Sequence, residues 1–127
     1  MNSPTTDTGP TASREEALAT SLNVTVKDGV TLAFHVTNTS SQQVELNFHS
    51  GQTYDFVVID SAGKELWRWS EERMFTQALQ NKLLRPRETL TFEEKWASPP
   101  RSGTFTAVGS LTSNNHPVSE RVSFTLP

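Results

Sequence analysis

Hydrophobic and polar residues alternate with a period of two along most of the chain beyond residue 20. The first run places Leu22, Val24 and Val26 on one face, with polar residues between them. Further strand-like runs cover residues 30–36, 44–48, 54–60, 64–69, 89–96, 103–111 and 120–126. Successive side chains of a β-strand point to opposite faces of a sheet, so these runs predict short, half-buried strands. About eight such strands with turn signals between them predict an all-β fold, an antiparallel β-sandwich.

Turn signals separate these runs. Asp28-Gly29 lies between the first two, and glycine tolerates the positive φ that a tight hairpin turn requires. Ser61-Ala62-Gly63 separates the fourth run from the fifth. These positions predict antiparallel neighbours joined by short connections.

One segment departs from the strand period. Four apolar residues in it lie at helical spacing, namely Met74, Phe75, Ala78 and Leu79. A serine and two glutamates precede them, which suits the start of a helix, so the pattern predicts a short helical segment near residues 71–80. We expect it to cross one end of the sandwich. Its apolar side chains are expected to plug that end, and the alternative is that they face water and anchor a partner.

Aromatic residues concentrate between residues 50 and 70, where the chain carries Tyr54, Phe56, Trp67 and Trp69. The density can be interpreted as a binding surface or as the centre of a small β-protein's core. Residues two apart in a strand share a face, and a continuous apolar face is typical of a core. We therefore expect these aromatics as a group to lie in the core.

The first twenty residues differ from the rest. They combine serine, threonine and proline with almost no apolar side chains, and ordering them would cost entropy without burying surface. We predict a disordered leader over residues 1–20 and one domain over residues 21–127. The start has no secretory signal pattern, which favours a cytoplasmic protein, and the alternative is an exported or lipid-anchored protein whose signal is absent from this sequence.

Composition excludes several classes of function. The net charge of −3 does not supply the basic surface that nucleic acid requires, and no apolar run is long enough to span a membrane. The chain has no cysteine, and none of its three histidines has a companion at ligand spacing on the same face. Glu93 and Glu94 are neighbours in a strand and point to opposite faces, so they cannot act together on a substrate. We predict no metal, no cofactor, no catalytic residues and no enzymatic activity.

A series of short motifs resembles the BsuPI family of intracellular proteinase inhibitors. The motifs are Val-Thr-Asn, Leu-Asn-Phe, Ser-Gly-Gln-Thr-Tyr-Asp-Phe-Val-Val, Gly-Lys-Glu-Leu-Trp-Arg-Trp-Ser, Met-Phe-Thr-Gln-Ala-Leu, Glu-Lys-Trp and Gly-Thr-Phe, in this order over roughly residues 21–126. The resemblance implies an immunoglobulin-like β-sandwich. It also implies inhibition of an intracellular subtilisin-like serine protease, with no cofactor and no chemistry of the protein's own. The alternative is an immunoglobulin-like interaction module of the cell envelope without inhibitory activity.

An inhibitor of this kind needs an exposed loop with anchored flanks. Three segments are candidates: residues 71–84, residues 98–102 and residues 112–117. The candidate protease contacts are Arg73, Met74, Phe75, Gln77, Leu79, Pro99, Pro100 and Arg101. The first segment ranks highest because its apolar side chains suit a protease pocket, although a helix does not fit a cleft that binds extended chains. We expect the protein to act as a monomer, but the sequence does not determine its oligomeric state.

Overall fold

The computed structural model describes residues 17–127, which form nine β-strands and one short 3-10 turn. The strands are β1 (Leu18–Val26), β2 (Val30–Asn38), β3 (Val44–Phe48), β4 (Tyr54–Asp60), β5 (Glu65–Arg68), β6 (Gln80–Leu84), β7 (Thr89–Trp96), β8 (Gly103–Leu111) and β9 (Val118–Leu126). All paired strands in this range are antiparallel. The predicted all-β sandwich is confirmed.

The strands form a three-stranded sheet in the order β1-β2-β7, a four-stranded sheet in the order β5-β4-β8-β9, and the pair β3-β6. Alternate residues of β2 are completely buried, from Val30 through Leu32, Phe34 and Val36. On the four-stranded sheet, β8 buries alternate residues in the same way. A Cβ added at Gly109 in β8 would lie 2.9 Å from the ring of Phe34 in β2, so the two sheets pack closely at a position without a side chain.

The hairpin predicted at Asp28-Gly29 is confirmed. Both residues have positive φ, 55° and 109°, which glycine adopts freely and aspartate adopts more readily than most residues. Val26 pairs with Val30, so the connection contains three residues, one more than the two-residue turn that Asp28-Gly29 predicts.

The predicted helix near residues 71–80 is limited to one 3-10 turn, Trp69–Glu72, and Arg73 directly after it is extended with φ −123° and ψ 156°. Residues 73–79 have no regular secondary structure, and β6, which the sequence pattern did not predict, follows them. The helical spacing was misleading because a helix needs a core to cover its apolar face, and Met74 and Leu79 are 97% and 78% exposed.

The strand β1 begins at Leu18, inside the predicted leader of residues 1–20. Leu18 is buried in the core, and it pairs with Asn38 in β2. Residues 18–20 are therefore part of the sandwich. The remainder of the predicted leader, residues 1–16, lies outside the described residues.

A buried asparagine joins the β2–β3 connection to the end of β6. Asn38 is completely buried, and its amide donates hydrogen bonds to the carbonyl oxygens of Gln42 (2.8 Å) and Leu84 (3.0 Å). Its side-chain oxygen accepts from the backbone N–H and the hydroxyl of Ser40 at 2.9 and 2.7 Å. The guanidinium of Arg87 donates to two carbonyls of the same turn. All the polar groups of the Asn38 side chain are thus satisfied inside the protein.

No helix in the described part of the chain is long and apolar enough to cross a membrane.

Candidate functional site

The loop between the 3-10 turn and β6, residues 73–79, is the most exposed apolar stretch of the described chain. Met74 is 97% exposed and Leu79 is 78% exposed, and Phe75 alone among these residues is partly buried. The expectation that Met74 and Leu79 plug the end of the sandwich is wrong. The loop is not helical, so the objection that it could not enter an extended-chain cleft does not apply to it.

The beginning of this loop rests on an aromatic column that crosses the sandwich. The column consists of Phe34, Phe92, Tyr54, Trp69 and Phe75. The ring of Tyr54 lies 4.5 Å from the centroids of both Phe92 and Trp69, in stacked geometry. Phe75 packs against Trp69 at 5.7 Å, and the Arg73 guanidinium carbon lies 4.8 Å from the centre of the same indole ring. Two residues of the loop are therefore held on one ring of the core.

A buried carboxylate fixes the chain just before the loop. Asp55 in β4 is 7% exposed and accepts hydrogen bonds from the Ser70 N–H (3.1 Å), the Ser70 hydroxyl (2.7 Å) and the Phe56 N–H (2.8 Å). Arg68 donates to it at 3.2 Å and also forms a two-fold contact with Glu65. Ser70, which suits a helix start in sequence, thus uses its side chain to tie the 3-10 turn to β4.

The middle of the loop lies against the backbone at Gly51. The Gly51 N–H donates to the Thr76 carbonyl at 2.9 Å. A Cβ at position 51 would lie 2.7 Å from Thr76 Oγ1 and 3.3 Å from the Thr76 nitrogen, so the close approach requires glycine. Gln52 is fixed in turn, because its N–H donates to Ser50 Oγ at 3.1 Å and its carbonyl accepts from Thr112 at 2.7 Å.

The end of the loop is fixed by strand pairing. Gln80, directly after Leu79, pairs with Phe48 as the first residue of the β3–β6 ladder. Leu79 itself borders a cavity of about 320 Å³ whose wall includes Phe48 and Asn114. The loop is therefore held at both ends and at Thr76, while most of its side chains face water.

The other predicted contact residues do not join this loop. Pro99, Pro100 and Arg101 precede the first residue of β8, whereas residues 73–79 lie beside Gly51, close to where Tyr54 pairs with Leu111 at the opposite end of β8. Nine residues of strand separate these ends by roughly 27 Å. Residues 112–117, the third candidate segment, lie on the side of the 73–79 loop, since Asn114 donates to the carbonyl of Asn47 at 2.8 Å. The eight predicted contacts therefore form two separate groups.

The titratable groups around the loop are used for structure. Burial, together with a hydrogen bond donated to Glu94, raises the pKa of Tyr54 above its ordinary value. Hydrogen bonding to Glu65 raises the pKa of Arg68. Within residues 17–127, no group of three or more histidine, aspartate or glutamate side chains is placed to hold a metal ion. Neutral Tyr54 is therefore held by its hydrogen bond to Glu94, and charged Arg68 is held by its hydrogen bonds to Glu65.

Four residues that position the loop were not predicted as functional, namely Gly51, Tyr54, Asp55 and Trp69. Three of them lie in the Ser-Gly-Gln-Thr-Tyr-Asp motif and one in Trp-Arg-Trp-Ser, the motifs on which the family resemblance was based. The expectation that the aromatics of this region belong to the core is confirmed, since Phe56 and Trp69 are buried and Tyr54 and Trp67 pack against the core. The motifs therefore bring distant parts of the chain together under residues 73–79.

A rigid sandwich that presents an anchored, exposed loop belongs to the class of protein-binding domains. Residues 18–116 match the family described as "Intracellular proteinase inhibitor", BsuPI, and the chain belongs to this family. The resemblance drawn from the motifs is thus confirmed. The family's description is that of proteinase inhibitors, which are not enzymes.

A search of curated proteins gives no match. Among solved structures, a β-glucosidase from Erythrobacter marinus is 14% identical with a TM-score of 0.45, and the match covers 87% of this chain and 15% of that one. A putative ApaA protein from Bordetella pertussis is 16% identical with a TM-score of 0.39, covering 86% of this chain and 89% of the other. Neither likeness bears on function.

Proposed function

We propose that this protein inhibits a subtilisin-like serine protease of the cytoplasm by docking residues 73–79, as a monomer, into the active-site cleft. The observation that carries the proposal is the combination of exposure and fixation in this loop. Met74 and Leu79 face water, while Trp69, Gly51 and the β3–β6 ladder hold the backbone around them. A loop fixed before binding loses little conformational entropy when it docks.

The loop also has the chemistry that a hydrophobic protease cleft recognises. Met74 and Leu79 offer apolar side chains, and the residues between them include no carboxylate. Apolar side chains that leave water on binding drive association, at about 25 cal/mol per Å² of buried area. The loop at residues 98–102 offers two prolines and an arginine in place of such side chains, and we assign it no part in the contact.

Titration of the intact protein against a subtilisin with a chromogenic peptide substrate tests the proposal. We expect turnover to slow in proportion to added protein at micromolar concentration or below. The double variant Met74→Asp/Leu79→Asp is expected to weaken inhibition by about 30-fold or more, the scale of at least one hot-spot side chain. The matched variant Pro99→Ala/Pro100→Ala/Arg101→Ala is expected to inhibit within about two-fold of the wild type, since it lies outside the proposed contact.

Undiminished turnover with the wild-type protein at tens of micromolar would contradict the proposal. It would favour the alternative of an interaction module without inhibitory activity. Inhibition that is lost in the 98–102 variant and kept in the 73–79 variant would transfer the contact to the opposite end of the sandwich.

A further inference from the structure

The side chain of Met74 points in a different direction from the side chains of its two neighbours. Arg73 and Phe75 both lie against the indole ring of Trp69, and Met74 between them is 97% exposed. Arg73 has extended backbone angles, and in an extended chain successive side chains point to opposite sides. The two flanking side chains therefore fix the direction of the third, away from the protein.

The backbone at this position is also free to pair with another chain. Within the described residues, neither the N–H nor the carbonyl of Met74 or Phe75 takes part in a hydrogen bond, although Arg73 donates to Ser70 and Thr76 accepts from Gly51 on either side. A protease cleft binds its substrate as an added strand, using the substrate's main chain for affinity and a pocket for one side chain. Met74 and Phe75 offer both elements at one place.

Leu79 does not have this combination. Its neighbour Gln80 is committed to the β3–β6 ladder, and Leu79 lies beside a cavity bordered by Phe48 and Asn114. Exposure alone does not distinguish the two residues. The contacts of their neighbours do, because Arg73 and Phe75 hold Met74 on both sides, whereas strand pairing at Gln80 fixes Leu79 on one side.

We infer that Met74 is the residue that enters the primary specificity pocket of the protease, and that Arg73 and Phe75 clamp its backbone on Trp69. The inference rests on the proposed function. The partner it implies is a protease with a large, uncharged, apolar specificity pocket. Thioether side chains adapt well to such a pocket because they are unbranched and polarizable.

Single substitutions at exposed positions test this assignment against the same subtilisin. We expect Met74→Asp alone to weaken inhibition by about 30-fold or more and Met74→Leu to keep it within about three-fold. The matched variant Leu79→Asp is expected to weaken inhibition clearly less than Met74→Asp does, because Leu79 lies on the rim of the contact. Met74→Lys is expected to weaken inhibition of subtilisin and to create inhibition of trypsin, whose specificity pocket is acidic.

The outcomes separate this inference from the proposed function. If the wild type inhibits and Met74→Asp inhibits equally well, the assignment of Met74 is overturned and inhibition by the family member stands. If Leu79→Asp causes the larger loss, the pocket residue is Leu79 and the inference is likewise overturned. If the wild type does not slow subtilisin at all, the proposed function fails and the inference fails with it. Thermal unfolding of each variant should match the wild type, since both side chains are exposed in the free protein.

Discussion

The loops at residues 73–79 and 98–102 share the features that mark a protease-binding segment in a sequence, yet they differ in how the rest of the fold holds them. The first is held by an aromatic column, a backbone hydrogen bond to Gly51 and a strand ladder. Residues 98–102 begin two positions after Trp96, the last residue of β7, and in the described chain no side-chain or turn hydrogen bond joins them to the rest of the fold. Pro99 and Pro100 restrict the backbone of this loop locally.

The difference shows that rigidity in a binding loop comes from contacts with distant parts of the chain. Gly51 and Asp55 precede the loop by about twenty residues, and Phe92 follows it. Proline restricts one backbone angle at its own position, whereas these contacts fix the position and the direction of a whole segment. Substitutions outside residues 73–79 can therefore loosen this loop without changing its own residues.

The largest effect is expected for Asp55→Ala. The substitution removes the acceptor of the buried Phe56 N–H and of the partly buried Ser70 N–H and hydroxyl, and it removes one partner of Arg68. We therefore expect a loss of about 2–4 kcal/mol in the free energy of unfolding. Urea denaturation followed by tryptophan fluorescence measures it. The control Glu65→Ala removes only the exposed part of the Arg68 contact and is expected to cost less than about 1 kcal/mol. Equal losses in the two variants would show that Asp55 is not the central acceptor.

A smaller effect is expected for Tyr54→Phe, which leaves the Glu94 carboxylate without its donor and costs about 1–2 kcal/mol at neutral pH. Burial and the Glu94 hydrogen bond raise the folded-state pKa of Tyr54, so folding favours the protonated phenol. This stabilisation is complete below the unfolded value of about 10 and is lost as pH rises through the folded-state pKa.

Two measurements check the tyrosine prediction. Tyr54 is the only tyrosine in the chain, so the ultraviolet absorbance of its phenolate reports its titration directly. The free energy of unfolding, measured between about pH 8 and 11, should fall more steeply for the wild type than for Tyr54→Phe. Parallel curves for the two proteins would contradict the expected linkage.

The smallest effect on stability is expected for Gly51→Ala. The new methyl group meets Thr76 Oγ1 at 2.7 Å, and the resulting displacement should cost about 1 kcal/mol and weaken inhibition as the loop loosens. Adding Thr76→Ala removes the hydroxyl, and it should restore part of the lost stability and part of the lost inhibition. Thermal unfolding and inhibitor titration of the single and double variants measure the coupling. The absence of any recovery would place the conflict at the Thr76 backbone nitrogen.

Much of the fold could be predicted because alternation of side chains reports directly which face of a strand is buried. Leu32, Phe34 and Val36 alternate in sequence and are buried as expected. The strand β6 could not be found in this way, since only Leu84 of its five residues is buried and its place is set by pairing with β3.

The candidate loop could be located from sequence, but its conformation could not. The sequence singles out Met74 and Leu79 as candidate contacts, although the same apolar spacing predicts a helix that the fold does not form. What decides against the helix is the attachment of Phe75 to Trp69 and of Thr76 to Gly51, and each of these contacts depends on the tertiary structure. Local propensity carries no information about partners that are distant in sequence.

The buried asparagine at the end of β2 has a consequence for producing the protein. Asn38-Thr39-Ser40 has the form of an N-glycosylation acceptor. The atom that would carry the glycan is Asn38 Nδ2, which donates both its hydrogens inside the fold, to Gln42 and Leu84. A sugar attached there before folding would prevent the turn from closing on β6. A eukaryotic secretory host is therefore a poor choice for expression, and a bacterial host avoids the modification.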